Sequence, residues 1–373
     1  MRVVIDYRPA LRQRTGVGEY THELARALVA LAGAGGPPAL DLTLFSSSWK
    51  DRVIAEDGLR GAAVVDRRVP VALLNLAWHR FNWPPAETIA RGSFDVAHSM
   101  HPLLMPARNA ARIVTIHDLD FLSHPERTRA EIRRDYRALA RTHARRADAV
   151  IAVSQFTASE VRRQFEVPAD RVSICSPGAP PWRPRERPPA AGYVLFFGTL
   201  EPRKNVGGLL DAYERLATRR RDLPRLVLAG QATDAARPWL ERIRRPPLDR
   251  VVTRVGYVDP AHRRGLYDDA ICLVQPSFEE GFGITVLEAM TAGVPVVVTD
   301  RGALPEVAGG AGEVVSADDP EAMAAAIERL VDDSALAASR AALGVARARD
   351  FRWDATARKV YDTYLYANRH RRS

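Results

Sequence analysis

The stretch SPGAPPWRPRERPPAAG, residues 176–192, separates two parts of the chain that repeat one pattern. Its six prolines exclude both a helix interior and a central strand, because proline has no backbone N–H to donate. A cluster of proline and glycine between patterned segments is typical of a linker. The sequence therefore predicts two domains, residues 1–178 and 193–351, joined by a proline-rich linker over residues 179–192.

Short apolar segments alternate with amphipathic segments on both sides of this linker. In the first part the pattern predicts strands over Arg2–Asp6, Leu40–Phe45, Ala62–Val65, Val96–His98, Arg112–Ile116, Ala149–Val153 and Val172–Ile174, and helices over Gly18–Leu31, Ala130–Arg146 and Gln155–Phe165. In the second part it predicts strands over Tyr193–Phe197, Arg225–Ala229, Val251–Val255, Ile271–Val274 and Val296–Thr299, and helices around Asn205–Thr218, Ala261–Tyr267 and Ile284–Ala292. Such alternation is typical of a doubly wound parallel sheet.

Three more helical patterns close the chain, over Pro320–Asp332, Ala335–Ala348 and Trp353–Ala367. We therefore predict an α/β protein with two doubly wound, Rossmann-like domains that face a deep interdomain cleft. Ligands of such sheets bind outside the carboxyl ends of the strands, so we expect the functional side chains there.

The composition is that of a globular protein with a substantial core, since 46% of the 373 residues are hydrophobic and 27% are charged. The two cysteines, Cys175 and Cys272, lie inside apolar stretches, which argues against a disulfide framework and favours a reducing compartment. The N-terminal MRVVIDYRPA has no apolar core of a signal peptide. The sequence contains no run of about 18 apolar residues, so it predicts no membrane-spanning helix. We expect a cytoplasmic protein.

The chain is basic, with a formal net charge of +9. This charge is compatible with phosphate-bearing ligands, anionic lipid or nucleic acid, and it does not distinguish among them. A nucleic-acid-binding surface usually interleaves basic and aromatic residues on one face. Here the basic residues are scattered, so the sequence does not favour nucleic acid as a partner.

The segment EEGFGITVLEAM, Glu279–Met290, leads into a helix and carries two carboxylates, Glu280 and Glu288. The helix dipole alone explains an acidic residue near a helix start, and this interpretation covers Glu288. The glycines beside Phe282 are better explained by a diphosphate over the helix start, held by the backbone N–H groups of residues 282–285. Glu288 would then accept hydrogen bonds from two adjacent ribose hydroxyls, and Glu280 would lie toward a sugar.

The segment FFGTLEPRKNVGGLL, Phe196–Leu210, places Arg203 and Lys204 directly before a predicted helix. Two cations at a helix start are unfavourable, because the dipole there prefers anions. One interpretation is a solvated surface pair. The other is a bound anion, to which Arg203 donates through its planar fork and Lys204 contributes a point charge.

A glycine-rich segment, RTGVGEY, follows the first predicted strand. Gly16 and Gly18 would let the backbone approach an anion at the start of the next helix. A lone G-x-G is a weak signal, and by itself it favours a plain loop. The residues that follow do not continue the dinucleotide-binding fingerprint, because Thr21 stands where it requires glycine.

A histidine and an aspartate, His117 and Asp118, come directly after another predicted strand. This position at the carboxyl end of a strand is one where functional groups gather, although a satisfied loop pair is an equal alternative. Asp118 and Asp120 also form a D-x-D pattern. Without further ligands nearby, it is a weak signal for a metal site.

Taken together, these segments resemble the retaining glycosyltransferases of family four, which have the GT-B fold, over nearly the whole chain. Glu280 and Glu288 match the E-x7-E motif of that family within EGFGITVLEAMTAGVPVV. The resemblance also covers the loop at Gly16–Gly18, His117, the segment Gly198–Asn205, the segment Leu304–Val307, and a closing helix over residues 352–373 that packs back on the first domain. One departure is Thr199, where many relatives carry arginine, so Arg203 would supply that charge.

The resemblance implies a role for each of these residues. Glu280 and His117 would be catalytic, and Glu280 would hold and orient the donor sugar. Glu288 would bind the ribose, and Arg203 and Lys204 the diphosphate. The other implied donor-binding residues are Gly16, Gly18, Gly198, Tyr257, Val258, Gly281, Phe282, Gly283, Ile284 and Thr285, with Tyr257 and Val258 in a turn that meets the nucleobase.

The implied reaction moves a sugar from a nucleotide donor to an acceptor hydroxyl with retention at the anomeric carbon. No metal is expected, because Arg203 and Lys204 would neutralise the charge that develops on the diphosphate. The motif GTLEPRKN resembles the corresponding motif of mannosyltransferases of bacterial polysaccharide biosynthesis, so GDP-mannose is the expected donor. UDP-sugars, dTDP-rhamnose and GDP-fucose are alternative donors, and a nucleotide-sugar epimerase of GT-B architecture is the alternative activity.

Two segments bear on the acceptor, which we expect to be a glycan or a lipid-linked glycan. Val71–Pro85 is apolar and aromatic, with Trp78, Phe81 and Trp83, and Arg127–Ala149 predicts a strongly basic helix. Together they are compatible with peripheral contact with the anionic inner face of a membrane. The pattern favours a core-facing aromatic cluster and a solvated basic face over that contact.

Overall fold

The computed structural model describes residues 1–11, 14, 16–33, 40–49, 51–53, 57–124 and 139–371. The chain divides into two compact units, one formed by Met1–Gly178 with Arg352–Ser373 and the other by Ala179–Phe351. Each unit contains one parallel sheet with helices packed on it, which confirms the prediction of two doubly wound domains.

The first unit contains a seven-stranded sheet in the order β3-β2-β1-β4-β5-β6-β7. The strands are β1 Arg2–Asp6, β2 Asp41–Ser47, β3 Ala63–Arg67, β4 Val96–Ser99, β5 Ala111–Ile116, β6 Ala149–Ala152 and β7 Val172–Ile174. The helices are α1 Gly16–Gly33, α2 Val71–Phe81, α3 Ala86–Ile89, α4 Asp120–Ser123 and α5 Gln155–Phe165, and residues 139–146 are also helical. Ser154 caps α5, since its side chain accepts a hydrogen bond from the Thr157 N–H.

The second unit contains a six-stranded sheet in the order β10-β9-β8-β11-β12-β13. The strands are β8 Tyr193–Phe197, β9 Leu226–Ala229, β10 Val252–Gly256, β11 Ala270–Gln275, β12 Val296–Thr299 and β13 Glu313–Val315. The helices are α6 Val206–Arg219, α7 Arg237–Arg242, α8 Leu248–Val251, α9 Pro260–Asp268, α10 Ile284–Ala292, α11 Leu304–Ala308, α12 Pro320–Asp332 and α13 Ser334–Ala348. Buried side chains of β8, β9, α6 and α12 form a hydrophobic core in this unit.

The closing helix, α14 Trp353–Arg369, belongs to the first unit. Its Tyr364 hydroxyl lies 2.7 Å from Nδ1 of the buried His98 on β4. At its start, Thr356 donates to the Ser176 carbonyl at 2.6 Å. A Cβ atom on Gly178 would lie 2.4 Å from the Trp353 nitrogen, so only glycine fits where the chain leaves this unit.

In both sheets the strand order reverses at one place, between β1 and β4 in the first and between β8 and β11 in the second. The connections on the two sides of such a point leave the sheet in opposite directions, which opens a crevice at the carboxyl ends of the strands. In the second unit, the segments at this point are the ones that follow β8 and β11. They contain the Arg203-Lys204 pair and Glu280, respectively.

Every predicted strand is present, with its ends within two residues of the prediction, and within the described residues β13 is the strand that the pattern did not predict. The helix α2 was also not predicted, because VALLNLAWHRF is apolar on nearly every side and shows no clear period. Its Trp78 is buried, as a core-facing cluster requires, whereas Phe81 is 70% exposed and Trp83 is 59% exposed. Most of the predicted basic helix Arg127–Ala149 lies outside the described residues.

Candidate functional site

The candidate site lies at the reversal point of the second sheet. Arg203 and Lys204 end a short 3₁₀ turn, Pro202–Lys204, that follows β8. Glu280 lies in the loop between β11 and α10. The Phe278 N–H donates to the Arg203 carbonyl at 2.8 Å, so the two segments are joined through their backbones.

Four side chains converge on the buried carboxylate of Glu280. Its Oε1 atom accepts hydrogen bonds from the Lys204 ammonium, from Gln275 Nε2 at 2.7 Å and from Ser277 Oγ at 2.9 Å. Its Oε2 atom lies 3.4 Å from Arg203 Nη1. Three of these four contacts come from charged or amide donors, so the carboxylate is held in one orientation.

The charges around Glu280 keep it ionised. Burial alone would raise the pKa of the Glu280 carboxyl, but the charges of Lys204 and Arg203 outweigh burial and lower this pKa to about 2. The pKa of Lys204 is also lowered, first by burial and then by the charge of Arg203 beside it. The negative charges of Glu280 and Glu201 oppose this lowering of the Lys204 pKa but do not reverse it.

Arg203 has partners on both sides of the loop. Its Nε lies 2.8 Å from Glu201 Oε1, and its Nη1 donates to the Glu279 carbonyl at 3.2 Å. The side chains of Arg203 and Lys204 are 22% and 12% exposed. The interpretation of this pair as a solvated surface feature is therefore wrong, and both cations are positioned by the acidic loop.

The turn Gly281–Gly283 leads into α10. Gly283 has a φ of 97°, and a Cβ atom there would lie 2.8 Å from Leu304 Cδ2, so glycine is required by the fold itself. The Phe282 ring is buried and packs edge-on against Phe351, with centroids 5.5 Å apart. Ile284 then begins the helix, and Thr285 donates from its hydroxyl to Gln275 Oε1 at 3.2 Å.

Glu288 lies one turn further along α10 and is buried. Its Oε1 accepts from Arg263 Nη1 at 2.9 Å, and its Oε2 accepts from the Tyr267 hydroxyl at 2.7 Å. Burial raises the pKa of Glu288, and the contacts with Arg263 and Tyr267 oppose that rise. The simple interpretation of Glu288 as a dipole-stabilised surface residue does not describe this arrangement.

Three glycines lie at the carboxyl ends of neighbouring strands in the same sheet. Gly198 follows β8, Gly230 follows β9, and Gly256 ends β10. The Gly230 N–H donates to the Gly256 carbonyl at 2.6 Å, and a Cβ atom on Gly230 would lie 2.0 Å from the Gly198 oxygen. The backbones therefore meet without side chains between them. Tyr257, which is exposed, and Val258 continue from this edge.

The predicted residues of the first unit have local partners. Gly16 begins α1 in open space, whereas a Cβ atom on Gly18 would lie 2.6 Å from the Pro9 oxygen, so Gly18 serves close packing. His117 directly follows β5, and its Nε2 lies 3.2 Å from the Met100 carbonyl. Its ring packs edge-on against Tyr20, and burial lowers the pKa of His117 to about 4. Its imidazole is therefore neutral at neutral pH.

The structure assigns partners to the site that sequence reasoning missed. Gln275 and Ser277 bind Glu280, and Arg263 and Tyr267 bind Glu288. A signal existed for Gln275, because it is a polar residue at the carboxyl end of an apolar strand. No comparable signal existed for Arg263, which lies among charged residues of an amphipathic helix.

Within the described ranges, no three His, Cys, Asp or Glu side chains lie close enough together to hold a metal ion. None of the helices in the part of the chain that the structure describes has both the length and the apolar character to cross a membrane. The thiols of Cys175 and Cys272 are both buried.

Two family models match this chain, and the boundary between the two matches falls within the proline-rich stretch. The model described as Glycosyltransferase Family 4 matches residues 14–183, and the model described as Glycosyl transferases group 1 matches residues 191–333. The second match contains Glu280, Glu288, Arg203 and Lys204.

Two named glycosyltransferases are similar in sequence to this chain. An O-antigen chain mannosyltransferase B from Escherichia coli is 29% identical over 98% of this chain and 99% of its own length. A glycogen synthase from Mycobacterium tuberculosis is 30% identical over 74% of this chain and 69% of its own length.

Among solved structures, sucrose-phosphate synthase from Thermosynechococcus elongatus aligns with a TM-score of 0.78 at 22% identity, covering 98% of both chains. HepE from Anabaena, in complex with UDP-glucose, aligns with a TM-score of 0.71 at 18% identity, covering 97% of this chain and 99% of that one. These likenesses show the fold.

Proposed function

Because this chain belongs to the GT-B glycosyltransferases of the family 4 type, we propose that it transfers mannose from GDP-mannose to a hydroxyl of a glycan or glycolipid acceptor, with retention at the anomeric carbon. We further propose that the product is part of a cell-surface polysaccharide. The observation that carries the proposal is the buried cluster in which Lys204 and Arg203 contact Glu280 at the reversal point of the second sheet.

The choice of mannose rests on the chain-length similarity to an O-antigen mannosyltransferase. A UDP- or dTDP-sugar is the alternative donor, since a solved structure of the same fold holds UDP-glucose. We propose that the turn Gly256–Val258 contacts the nucleobase through backbone groups.

In the proposed mechanism, Lys204 and Arg203 stabilise the negative charge that builds on the diphosphate as the bond to the sugar breaks. The backbone N–H groups at the start of α10 add the positive end of the helix dipole. Glu280 is ionised at neutral pH, so it accepts hydrogen bonds from sugar hydroxyls and orients the ring. Glu288 accepts from the ribose.

The departing phosphate itself takes the proton of the acceptor hydroxyl, so no second carboxylate and no metal is required. A catalytic role for His117, and roles for Gly16 and Gly18 toward the donor, stay predictions from the family resemblance.

The donor assignment is tested by incubating the purified protein with GDP-mannose, GDP-fucose, UDP-glucose and dTDP-rhamnose, with and without EDTA, and following nucleotide release in the presence of lipid-linked glycan acceptors. We expect release of GDP from GDP-mannose, unchanged by EDTA. Turnover of a UDP- or dTDP-sugar instead would overturn the assignment of GDP-mannose as the donor and keep the assignment of the protein as a glycosyltransferase. Conversion of the donor sugar without an acceptor would support an epimerase.

The proposal includes peripheral contact with an anionic membrane, supported by the exposed face of α2. Leu73 is 58% exposed, Leu76 is 56% exposed, and Phe81 and Trp83 follow them on the surface. The exposed Arg68 lies just before α2 in sequence, and the exposed Arg80 lies in its last turn. Apolar side chains that insert among lipids, flanked by arginines that attract anionic headgroups, are typical of interfacial helices.

We expect the double variant Leu73→Glu, Leu76→Glu to lose flotation with vesicles that contain phosphatidylglycerol, because two carboxylates would face the lipid. Leu343→Glu, which changes an exposed leucine of the second unit, is the matched control and should float as the wild type does. Equal flotation of the double variant and the wild type would remove the membrane contact from the proposal.

A further inference from the structure

The carboxylate of Glu288 is already engaged on both oxygens. Arg263 Nη1 donates to Oε1 at 2.9 Å, and the Tyr267 hydroxyl donates to Oε2 at 2.7 Å. Both donors come from α9, one turn apart, and both are buried. The Tyr267 ring packs against Trp182 and Phe197, with centroids 5.7 Å and 6.1 Å apart, which limits the movement of its hydroxyl.

We propose that Arg263 and Tyr267 are positioning residues that hold the Glu288 carboxylate in the orientation in which it accepts the two ribose hydroxyls of the donor nucleotide. This inference rests on the proposed function and names a part of the machinery outside the E-x7-E motif.

The count of acceptor positions supports this arrangement. An ionised carboxylate offers about four lone-pair positions, two on each oxygen. Arg263 and Tyr267 occupy one position on each oxygen, so one remains on each for a ligand. Two adjacent hydroxyls, as on a ribose, match two such positions. Arg263 and Tyr267 therefore fix the rotamer of Glu288 and leave its carboxylate able to accept two more hydrogen bonds.

The positive charge of Arg263 has a second consequence. Burial raises the pKa of Glu288, and Arg263 is the strongest influence that opposes this rise. Without Arg263 the buried carboxyl would hold a proton at higher pH. A protonated carboxyl presents an O–H donor where the ribose hydroxyls need an acceptor, so nucleotide binding would weaken.

The other elements packed on α10 carry a few charged or titratable groups. They are Arg340 and Arg347 on α13, Glu306 on α11 and Cys272 on β11. Arg340 is bound to Glu313, and Arg347 pairs with Asp350. Arg263 is the cation that directly contacts Glu288.

The test compares wild type, Arg263→Leu and Tyr267→Phe, with Arg264→Leu as the matched control. Arg264 is the next residue of α9 and binds Asp268 rather than Glu288. The ligands are GDP, UDP and CDP, each beside its 2′,3′-dideoxy form, and dissociation constants are measured between pH 6 and pH 9. Ratios of variant to wild-type constants remove the titration of the phosphate itself.

We expect Arg263→Leu to bind the preferred nucleotide about tenfold more weakly at pH 6, the loss of one charge-assisted interaction, and to recover as the pH rises. Its preference for the ribose form over the dideoxy form should shrink in parallel. Tyr267→Phe should lose part of that preference and show the same pH trend more weakly, because its hydrogen bond opposes the rise in the Glu288 pKa less than the charge of Arg263 does. Arg264→Leu should match the wild type throughout.

The outcomes separate this inference from the proposed function. If the wild type binds no nucleotide, or does not distinguish the ribose from the dideoxy form, the assignment of Glu288 to ribose fails. If the wild type does distinguish them, and Arg263→Leu keeps the full preference at every pH, only the positioning role of Arg263 is overturned. A uniform loss of binding to both forms would also overturn it, because that result indicates general damage to the site.

Discussion

Glu280→Gln is expected to lower sugar transfer by about a hundredfold to a thousandfold, the usual effect of removing one preorganised charged group from a reacting centre. The amide nitrogen cannot accept, so either Arg203 at the Oε2 position, or Lys204, Gln275 and Ser277 together at the Oε1 position, would lose their acceptor. Because only the sugar-orienting charge is removed, turnover should fall more than affinity for the free nucleotide. The measurement is kcat and KM with the preferred donor.

The same variant should alter acid stability. The pKa of Glu280 in the folded protein is about 2, below its ordinary value of 4.5. The ionised carboxylate therefore stabilises the fold above about pH 4.5, and this contribution is lost as the pH falls toward 2. Urea unfolding between pH 5 and pH 3 should show a steeper loss of stability for the wild type than for Glu280→Gln.

The matched control is Glu241→Gln, an exposed glutamate of the same unit. It should leave both turnover and acid stability unchanged. A Glu280→Gln protein with wild-type turnover would exclude Glu280 from catalysis.

Lys204→Met is expected to have the second large effect, on binding of the diphosphate. The chain has three lysines, Lys50, Lys204 and Lys359, and Lys204 provides the buried ammonium beside Glu280. Methionine keeps the length of the side chain but removes its charge. Loss of a hydrogen bond between charged groups costs about 1.5–3 kcal/mol, so affinity for a nucleoside diphosphate should fall by about tenfold to a hundredfold.

Removal of one partner from a buried ion pair also leaves the other charge poorly compensated, so Lys204→Met should unfold with a free energy lower by about 3 kcal/mol. Lys359→Met is the matched control, because Lys359 is an exposed lysine on α14. Nucleotide affinity and urea unfolding of both variants are the measurements. A Lys204→Met protein that binds nucleotide as tightly as the wild type would remove Lys204 from the diphosphate site.

The periodicity of the sequence was sufficient to predict nearly all of both sheets. Buried parallel strands such as Val296–Thr299 are continuous apolar runs, and the proline-rich stretch is a strong local signal. The three-residue strand β13 was missed because its pairing with β12 on one edge depends on tertiary contacts. The helix α2 was missed because its exposed face is as apolar as its buried one.

The sequence also identified the principal residues of the site but not how they contact one another. Lys204 and Glu280 are 76 positions apart, and they meet because β8 and β11 are neighbours in the sheet. Arg263 and Glu288 are 25 positions apart on different helices, so no local pattern links them. Side-chain partners of this kind follow from the packing of elements, which spacing along the chain does not reveal.

The most direct test of the account is the thermal unfolding midpoint of the wild-type protein with GDP, UDP, dTDP and CDP, each with and without magnesium. A ligand that binds only the folded state raises the midpoint by mass action. We predict that GDP raises it selectively, that EDTA does not change this shift, and that Lys204→Met loses it. If no nucleotide moved the midpoint, the assignment of Arg203, Lys204, Glu280 and Glu288 to a nucleotide-sugar site would be contradicted.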